Sequence, residues 1–139
     1  MTQKDLEEYR SKLAEIRELR TKLEHLDEDD SFWGNDTVFD YRSGYPKPQA
    51  VVGVDWQKYD RASARYRQRI DQLQQECALV EEFVENLEDS LMRRIFRMYY
   101  LEGKSQREIS ECIHLDRSVI SKKISRFFKF AHNAQNAHV

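Results

Sequence analysis

The chain has 139 residues, of which 40% are hydrophobic and 35% charged, and its formal net charge is −2. Only 4 Gly and 2 Pro accompany these charges, which is typical of a helix-rich domain and excludes a chain that is disordered throughout. No apolar run is long enough to cross a bilayer and the N-terminus lacks a signal-peptide hydrophobic region, so we expect a cytoplasmic protein without a membrane partner.

The first predicted element is an amphipathic helix from Lys4 to Leu26. Its apolar residues recur at steps of three and four, which places them on one face of the helix. These residues are Leu6, Tyr9, Leu13, Ile16, Leu19, Leu23 and Leu26. The helix is expected to end in the acidic run at residues 27–30. Four adjacent carboxylates cannot converge on one site, so we interpret this run as a solvated helix end.

A connector is predicted over residues 28–54, with extended or polyproline stretches, because helical and clean strand periodicity are both absent. Gly and Pro interrupt it at Gly34, Gly44, Pro46, Pro48 and Gly53. Its aromatic residues either pack back onto the helices or form a docking segment for a partner, and we favour packing. They are Phe32, Trp33, Phe39, Tyr41 and Tyr45.

The next predicted element is a long helix that begins after Asp55, a suitable N-cap residue. The mostly apolar residues along one side of this helix repeat in a heptad pattern and form a seam that needs a coiled-coil partner. The seam consists of Trp56, Tyr59, Ser63, Tyr66, Ile70, Leu73, Cys77, Val80, Val84 and Leu87. The first helix can cover it as an antiparallel hairpin, or a second copy can cover it in a homodimer through residues 56–87, and the sequence does not choose.

The charge is divided unevenly along the chain. Residues 1–92 have a net charge of −8, whereas residues 93–130 hold 10 Lys and Arg against four acids, a net charge of +6. Such asymmetry indicates a polyanionic partner for the C-terminal part only. A nucleic-acid-binding element is therefore expected in the C-terminal part.

Three helices are predicted after Asp89 or Ser90, either of which can cap the first. That helix has apolar residues at Leu91, Ile95, Met98, Tyr99 and Leu101, and Gly103 is expected in the left-handed conformation at its end. Ser105 and Glu108 form a capping box for a short helix with inward residues Ile109, Cys112 and Ile113. Asp116 caps the last helix, whose apolar stripe is Ile120, Ile124, Phe127 and Phe128.

This order of elements predicts a helix-turn-helix with a basic recognition helix that enters the major groove of double-stranded DNA. The residues expected to face the bases are Arg117, Ser118, Ser121, Lys122 and Ser125. The residues expected to contact phosphates are Lys104, Arg107, Lys123 and Arg126.

Residues 91–129, "LMRRIFRMYYLEGKSQREISECIHLDRSVISKKISRFFK", resemble region four of bacterial sigma factors. In that family an "RY-x-E-G" segment precedes "S-x-x-E-I-A", a turn and a recognition helix. Here His114 replaces the usual turn glycine and Ser110 replaces the small alanine. Residues 1–92 do not resemble the sigma regions that bind core polymerase and melt the promoter.

The whole chain resembles small phage and prophage regulators that join a charged helical hairpin to a region-four-like C-terminus. The resemblance implies a sequence-specific regulator in a bacterial host cell, a late-gene activator that acts with host RNA polymerase. The acidic helices would then serve dimerisation or polymerase contact. Two alternatives remain: a small terminase subunit, which would form rings for DNA packaging, and a polymerase-binding protein that reads no DNA.

We therefore predict an all-α protein with an acidic hairpin at residues 1–88, a helix-turn-helix at 89–130 and a flexible tail at 131–139. Neither Cys77 nor Cys112 lies at metal-ligand spacing from a His pair, so both are predicted to be buried lone thiols. No phosphate loop or catalytic triad is present in the sequence. We expect neither a metal, a cofactor nor an enzymatic activity.

Overall fold

The computed structural model describes residues 1–29, 32–40, 44 and 47–136, with side chains described for 1–29, 32, 44 and 53–131. Most of these residues are helical, which confirms the predicted predominance of α-structure. The helices are α1 (Gln3–Glu7), α2 (Tyr9–Glu24), α3 (Trp56–Glu85), α4 (Ser90–Phe96), α5 (Gln106–Ile113) and α6 (Arg117–Asn136). A 3-10 turn at Leu26–Glu28 follows α2, and a π turn at Arg97–Leu101 follows α4.

The predicted connector contains an antiparallel hairpin of two strands, β1 (Trp33–Asp40) and β2 (Lys47–Val54). Trp33 pairs with Val54 at one end and Asp40 with Lys47 at the other. The extended conformation was predicted, but the pairing was not. Gly34 in β1 and Pro48 and Gly53 in β2 hide the strand signal, although a strand with a free edge tolerates a proline.

Phe32 is the connector aromatic whose side chain is described, and it is buried. Its ring packs edge-on against Tyr59 with 5.8 Å between the ring centroids. This contact confirms packing onto the helices at this position. The side chains of Trp33 and Phe39, and both Tyr41 and Tyr45, lie outside the described residues.

The chain forms two compact units, one comprising Met1–Glu15 with Leu73–Val139 and the other Ile16–Gln72. This division differs from the predicted segments, because residues 1–15 and 73–88 belong to the same unit as the C-terminal helices. Helix α6 also extends to Asn136, well into the predicted tail, and residues 137–139 lie outside the described part of the chain.

The second unit has its own hydrophobic core. Leu26, Phe32 and Ala62 are buried at its centre. Half-buried side chains surround them: Leu23, Val54, Tyr59 and Tyr66. Asp55 caps α3 as predicted, since its Oδ1 accepts a hydrogen bond from the Lys58 amide at 3.1 Å. In the N-terminal part of the heptad seam, the same chain buries or half-buries Tyr59, Ser63, Tyr66 and Ile70, but the prediction that Trp56 belongs to the seam was wrong, because its side chain is 65% exposed.

In the first unit, the C-terminal part of the seam is covered by the N-terminal helices. The Tyr9 hydroxyl donates a 2.5 Å hydrogen bond to Glu81 Oε1, and Lys12 Nζ lies 3.1 Å from Glu76 Oε2. Four of the five predicted seam residues of this unit are buried, Leu73, Cys77, Val80 and Val84, and the fifth, Leu87, is half-buried beyond the end of α3. A homodimer through this seam would therefore have to displace the chain's own helices.

The C-terminal helices share a core built around Phe96, whose side chain is fully buried. Its ring lies 4.9 Å from that of Phe127 and stacks on that of Phe128 at 5.7 Å, which fixes α4 against α6. Tyr100 contacts both Phe96 and Phe128. Phe96 and Tyr100 were absent from the predicted apolar stripe, because α4 and the π turn are buried on two faces rather than one.

Candidate nucleic-acid interface

The segment before α5 is a sharply turned helix end. Asp89 caps α4 as predicted, since its Oδ1 accepts a hydrogen bond from the Leu91 amide at 3.3 Å. Gly103 has a φ of +71°, the predicted left-handed conformation, and the Lys104 amide donates to the Met98 carbonyl at 2.8 Å. These bonds stop the helix and set the direction in which α5 begins.

Ser105 caps α5 as predicted, but in place of the second bond of the predicted capping box, from the Ser105 amide to Glu108, the Ser105 hydroxyl contacts the Glu108 carboxylate. The Glu108 amide donates to Ser105 Oγ at 3.2 Å, and the serine hydroxyl donates in turn to Glu108 Oε1 at 3.2 Å. The prediction that Cys112 is buried was wrong, because it is exposed while Ile109 is buried. In so short a helix the packed face is narrow, and Cys112 lies on its flank.

The turn between α5 and α6 consists of residues 114–116. His114 adopts φ 62° and ψ 39°, the left-handed conformation that glycine most often supplies at the end of a helix. The Ser110 hydroxyl donates a hydrogen bond across the turn to the Leu115 carbonyl. Helix α6 then begins at Arg117, with the Asp116 carbonyl accepting from the Ile120 amide at 3.1 Å.

One face of α6 is buried and the opposite face is exposed. Ile120 and Ile124 point into the core. Ser118, Lys122 and Ser125, at steps of four and three, lie on the opposite face and are exposed. Of the residues predicted to face bases, Arg117, Ser118, Lys122 and Ser125 are therefore accessible, whereas Ser121 is half-buried at the side.

The residues predicted to contact phosphates fall into two groups. Lys104 Nζ lies 3.3 Å from Glu102 Oε2, and Arg107 Nε lies 3.5 Å from Glu111 Oε1. Such exposed pairs contribute at most about 1 kcal/mol, so they can exchange for a phosphate. Lys123 is half-buried and Arg126 is exposed, and both lie on α6 itself.

The charge of α6 is not neutralised by its neighbours. The helix carries five cations and no acidic residue: Arg117, Lys122, Lys123, Arg126 and Lys129. In the part of the chain that the structure describes, none of these five forms an ion pair with a carboxylate. This face therefore has a positive potential that favours a polyanion.

Two arginines have structural roles that the sequence did not reveal. Arg93 Nη1 donates to the main-chain carbonyls of Leu87 at 2.6 Å and Glu88 at 3.0 Å, which ties α4 to the segment after α3. The Arg10 guanidinium lies against Gly103, where an added Cβ would be 1.5 Å from its Nη1. The sequence feature that could have indicated the role of Arg93 is a cationic side chain a few residues from the carbonyl groups that end a helix.

Comparison with family models, with curated proteins and with solved structures found no match to this chain. Among the described residues, no helix is long and apolar enough to cross a membrane. Over the same residues, no three metal-binding side chains come together.

Proposed function

We propose that residues 89–130 form a helix-turn-helix of the sigma region four type that binds double-stranded DNA in a sequence-specific manner. The observation that carries the proposal is the exposed face of α6, whose cations pair with no carboxylate among the described residues. The resemblance of residues 91–129 to region four supports the same assignment. We further propose that the protein regulates transcription, as a late-gene activator of a phage or prophage.

The proposed binding mode places α6 in the major groove, which is wide enough for one helix. Its first two turns reach base edges, and the guanidinium of Arg117 can donate two hydrogen bonds to a guanine. Ser118 and Lys122 offer further donors on the same exposed face. Helix α5 would lie across the backbone and direct α6 into the groove.

Phosphate contacts would fix the register of the protein on the duplex without selecting a sequence. Arg126 and Lys123 flank the base-facing residues on α6. Lys104 and Arg107 lie at the start of α5, where the DNA backbone passes in related motifs. Their ion pairs with Glu102 and Glu111 are weak, so each cation can exchange its carboxylate for a phosphate.

The acidic helices are proposed to contact RNA polymerase. The seam of α3 is covered within the chain, which leaves the charged outer faces of α2 and α3 as the accessible surfaces. Residues 1–92 as a whole have a net charge of −8, which is unsuited to DNA, and their acidic excess lies in the run at residues 27–30 and in the second half of α3, whereas α2 has five Lys and Arg against three Glu. Both partners would then be bound by different parts of one chain.

Selection of binding sites from a random duplex library at near-physiological salt tests the proposal. The variant Arg117→Ala/Lys122→Ala is compared with wild type. The control variant Arg65→Ala/Arg67→Ala removes the same charge from exposed positions of α3. We expect one sequence motif to be enriched by wild type and control and lost in the α6 variant.

If none of the three proteins enriched a motif, sequence-specific binding would be contradicted. The oligomeric mass, measured on the same preparation, then distinguishes the alternatives. A ring of many subunits would indicate a packaging protein, and a monomer or dimer that binds polymerase would indicate an interaction protein without a DNA site.

A further inference from the structure

We propose that Arg10, in the N-terminal part of the chain, binds a DNA phosphate together with Lys104 at the start of α5. This inference rests on the proposed function and adds a DNA contact from outside the helix-turn-helix. Residues 1–92 have a net charge of −8, so their sequence predicts no such contact. The position of the Arg10 side chain makes this residue the exception.

The position of Arg10 is defined by its contact with Gly103. The guanidinium covers the glycine so closely that an added Cβ would lie 1.5 Å from Arg10 Nη1. Gly103 directly precedes Lys104, and Ser105 then caps α5. A guanidinium from α2 is thereby held at the start of α5, where the DNA backbone passes in the proposed binding mode.

Arg10 differs from the other cations at the start of α5, because it has no carboxylate partner among the described residues. It is also exposed. Lys104 and Arg107, by contrast, are each paired with a carboxylate. A phosphate that approaches α5 can therefore bind Arg10 without first displacing an anion, and the planar guanidinium can donate two parallel hydrogen bonds to it.

Arg10 and Lys104 line the same cleft, which has a volume of about 290 Å³. Tyr100 forms part of its wall, and the buried tyrosine hydroxyl has no hydrogen-bond partner among the described residues. Two cations and a donor that lacks an acceptor are suited to an anion with several oxygen atoms. Glu7 also lines the cleft, and its negative charge should weaken the binding of an anion there.

The salt dependence of DNA binding tests the phosphate contact. Full-length wild type, Arg10→Ala and the control Arg17→Ala are titrated with the selected duplex from about 50 to 200 mM salt. Arg17 is another exposed arginine of α2, and it does not line the cleft. We expect Arg10→Ala to reduce the slope of log K against log salt by about one, so that its loss of affinity relative to wild type shrinks about three- to four-fold over this range. Arg17→Ala should keep the wild-type slope.

A scan of the duplex backbone locates the contact. Each phosphate is replaced in turn by an uncharged methylphosphonate, and wild type should lose affinity at one phosphate where Arg10→Ala loses less. Glu7→Gln should bind all duplexes more tightly than wild type, by up to about five-fold, because one negative charge is removed from the cleft.

An unchanged salt slope in Arg10→Ala would overturn the inference, and a lowered urea midpoint beside it would show that Arg10 only supports the turn at Gly103. Equal losses for wild type and Arg10→Ala at every phosphate, or no tighter binding by Glu7→Gln, would overturn it as well. The proposed sequence specificity would survive all of these results. If no motif is selected, the proposed function fails, and the salt slope on a duplex of random sequence still decides whether Arg10 binds a phosphate.

Discussion

The hydroxyl of Ser110 donates a hydrogen bond to the main-chain carbonyl of Leu115, and this bond closes the turn between α5 and α6. This bond connects the two ends of the turn on which the direction of the proposed recognition helix depends.

Ser110→Ala is therefore expected to lower the free energy of unfolding by about 1 kcal/mol, the usual net contribution of such a bond. Urea unfolding followed by far-UV circular dichroism measures the change. Ser118→Ala, at an exposed position of α6, is the control and should change stability less. Equal stability of Ser110→Ala and wild type would mean that the bond contributes nothing.

His114→Gly is expected to stabilise the protein by about 0.5 kcal/mol. A non-glycine residue in the left-handed region costs roughly 1–2 kcal/mol, which exceeds the roughly 0.4–1 kcal/mol that glycine loses through the unfolded chain. His114 has φ 62°, and it is the single non-glycine residue with positive φ among those described. The control Cys112→Gly, two residues earlier in α5, should instead lower the free energy of unfolding by up to about 1 kcal/mol. If both variants changed the free energy of unfolding in the same direction, this explanation would be contradicted.

Stability is expected to fall as the pH rises above about 10. Burial raises the pKa of the Tyr9 and Tyr100 phenols above the ordinary value of 10.0, and for Tyr9 the hydrogen bond to Glu81 adds to the effect. The unfolded chain then releases these protons at a lower pH than the folded chain does. The stability conferred by the protonated phenols is complete below pH 10 and is lost as the pH rises toward their folded pKa.

Urea unfolding at a series of pH values from about 8 to 11 measures this dependence. Tyr9→Phe and Tyr100→Phe should each reduce the slope of stability against pH above about 10. Slopes unchanged from wild type in both variants would show that the two phenols titrate alike in the folded and unfolded chain.

Arg117→Ala is expected to weaken binding to the selected site by roughly 1–3 kcal/mol and to relax the preference at one base pair. The reason is the loss of a two-bond contact with one guanine. Titration of the site and of its single-base variants measures both effects. A uniform loss of affinity across all sequences would assign Arg117 to the backbone instead.

Arg126→Ala is expected to weaken binding to all sequences alike. Loss of one phosphate contact should reduce the slope of log K against log salt by about one. Binding measured over a range of salt concentrations gives the slope, with Arg65→Ala on α3 as the control that leaves it unchanged. A change in sequence preference without a change in slope would show that the base-facing and phosphate-facing sides are reversed.

Local signals in the sequence predicted much of the helical structure. Caps at Asp55, Asp89 and Ser105 mark helix starts because a side-chain oxygen can satisfy an amide within the same turn. Gly103 and His114 mark helix ends because each adopts the left-handed conformation that stops a helix. The stripe of the last helix was also predicted, since helical spacing alone places Ile120 and Ile124 on one face.

Tertiary structure decided what depends on residues far apart in the chain. The pairing of β1 with β2 and the burial of Phe96 and Tyr100 on a second face of α4 were not predicted. The sequence left open whether the first helix or a second copy covers the α3 seam, and the structure selects the N-terminal helices. By itself the sequence determined the capped helix starts and which face of α6 carries charge, because these follow from contacts within a few residues. It did not predict the separation of α1 from α2 or the extension of α6 to Asn136. Only the tertiary structure decided which apolar faces meet, because several faces of similar character compete and the packing of the whole chain selects among them.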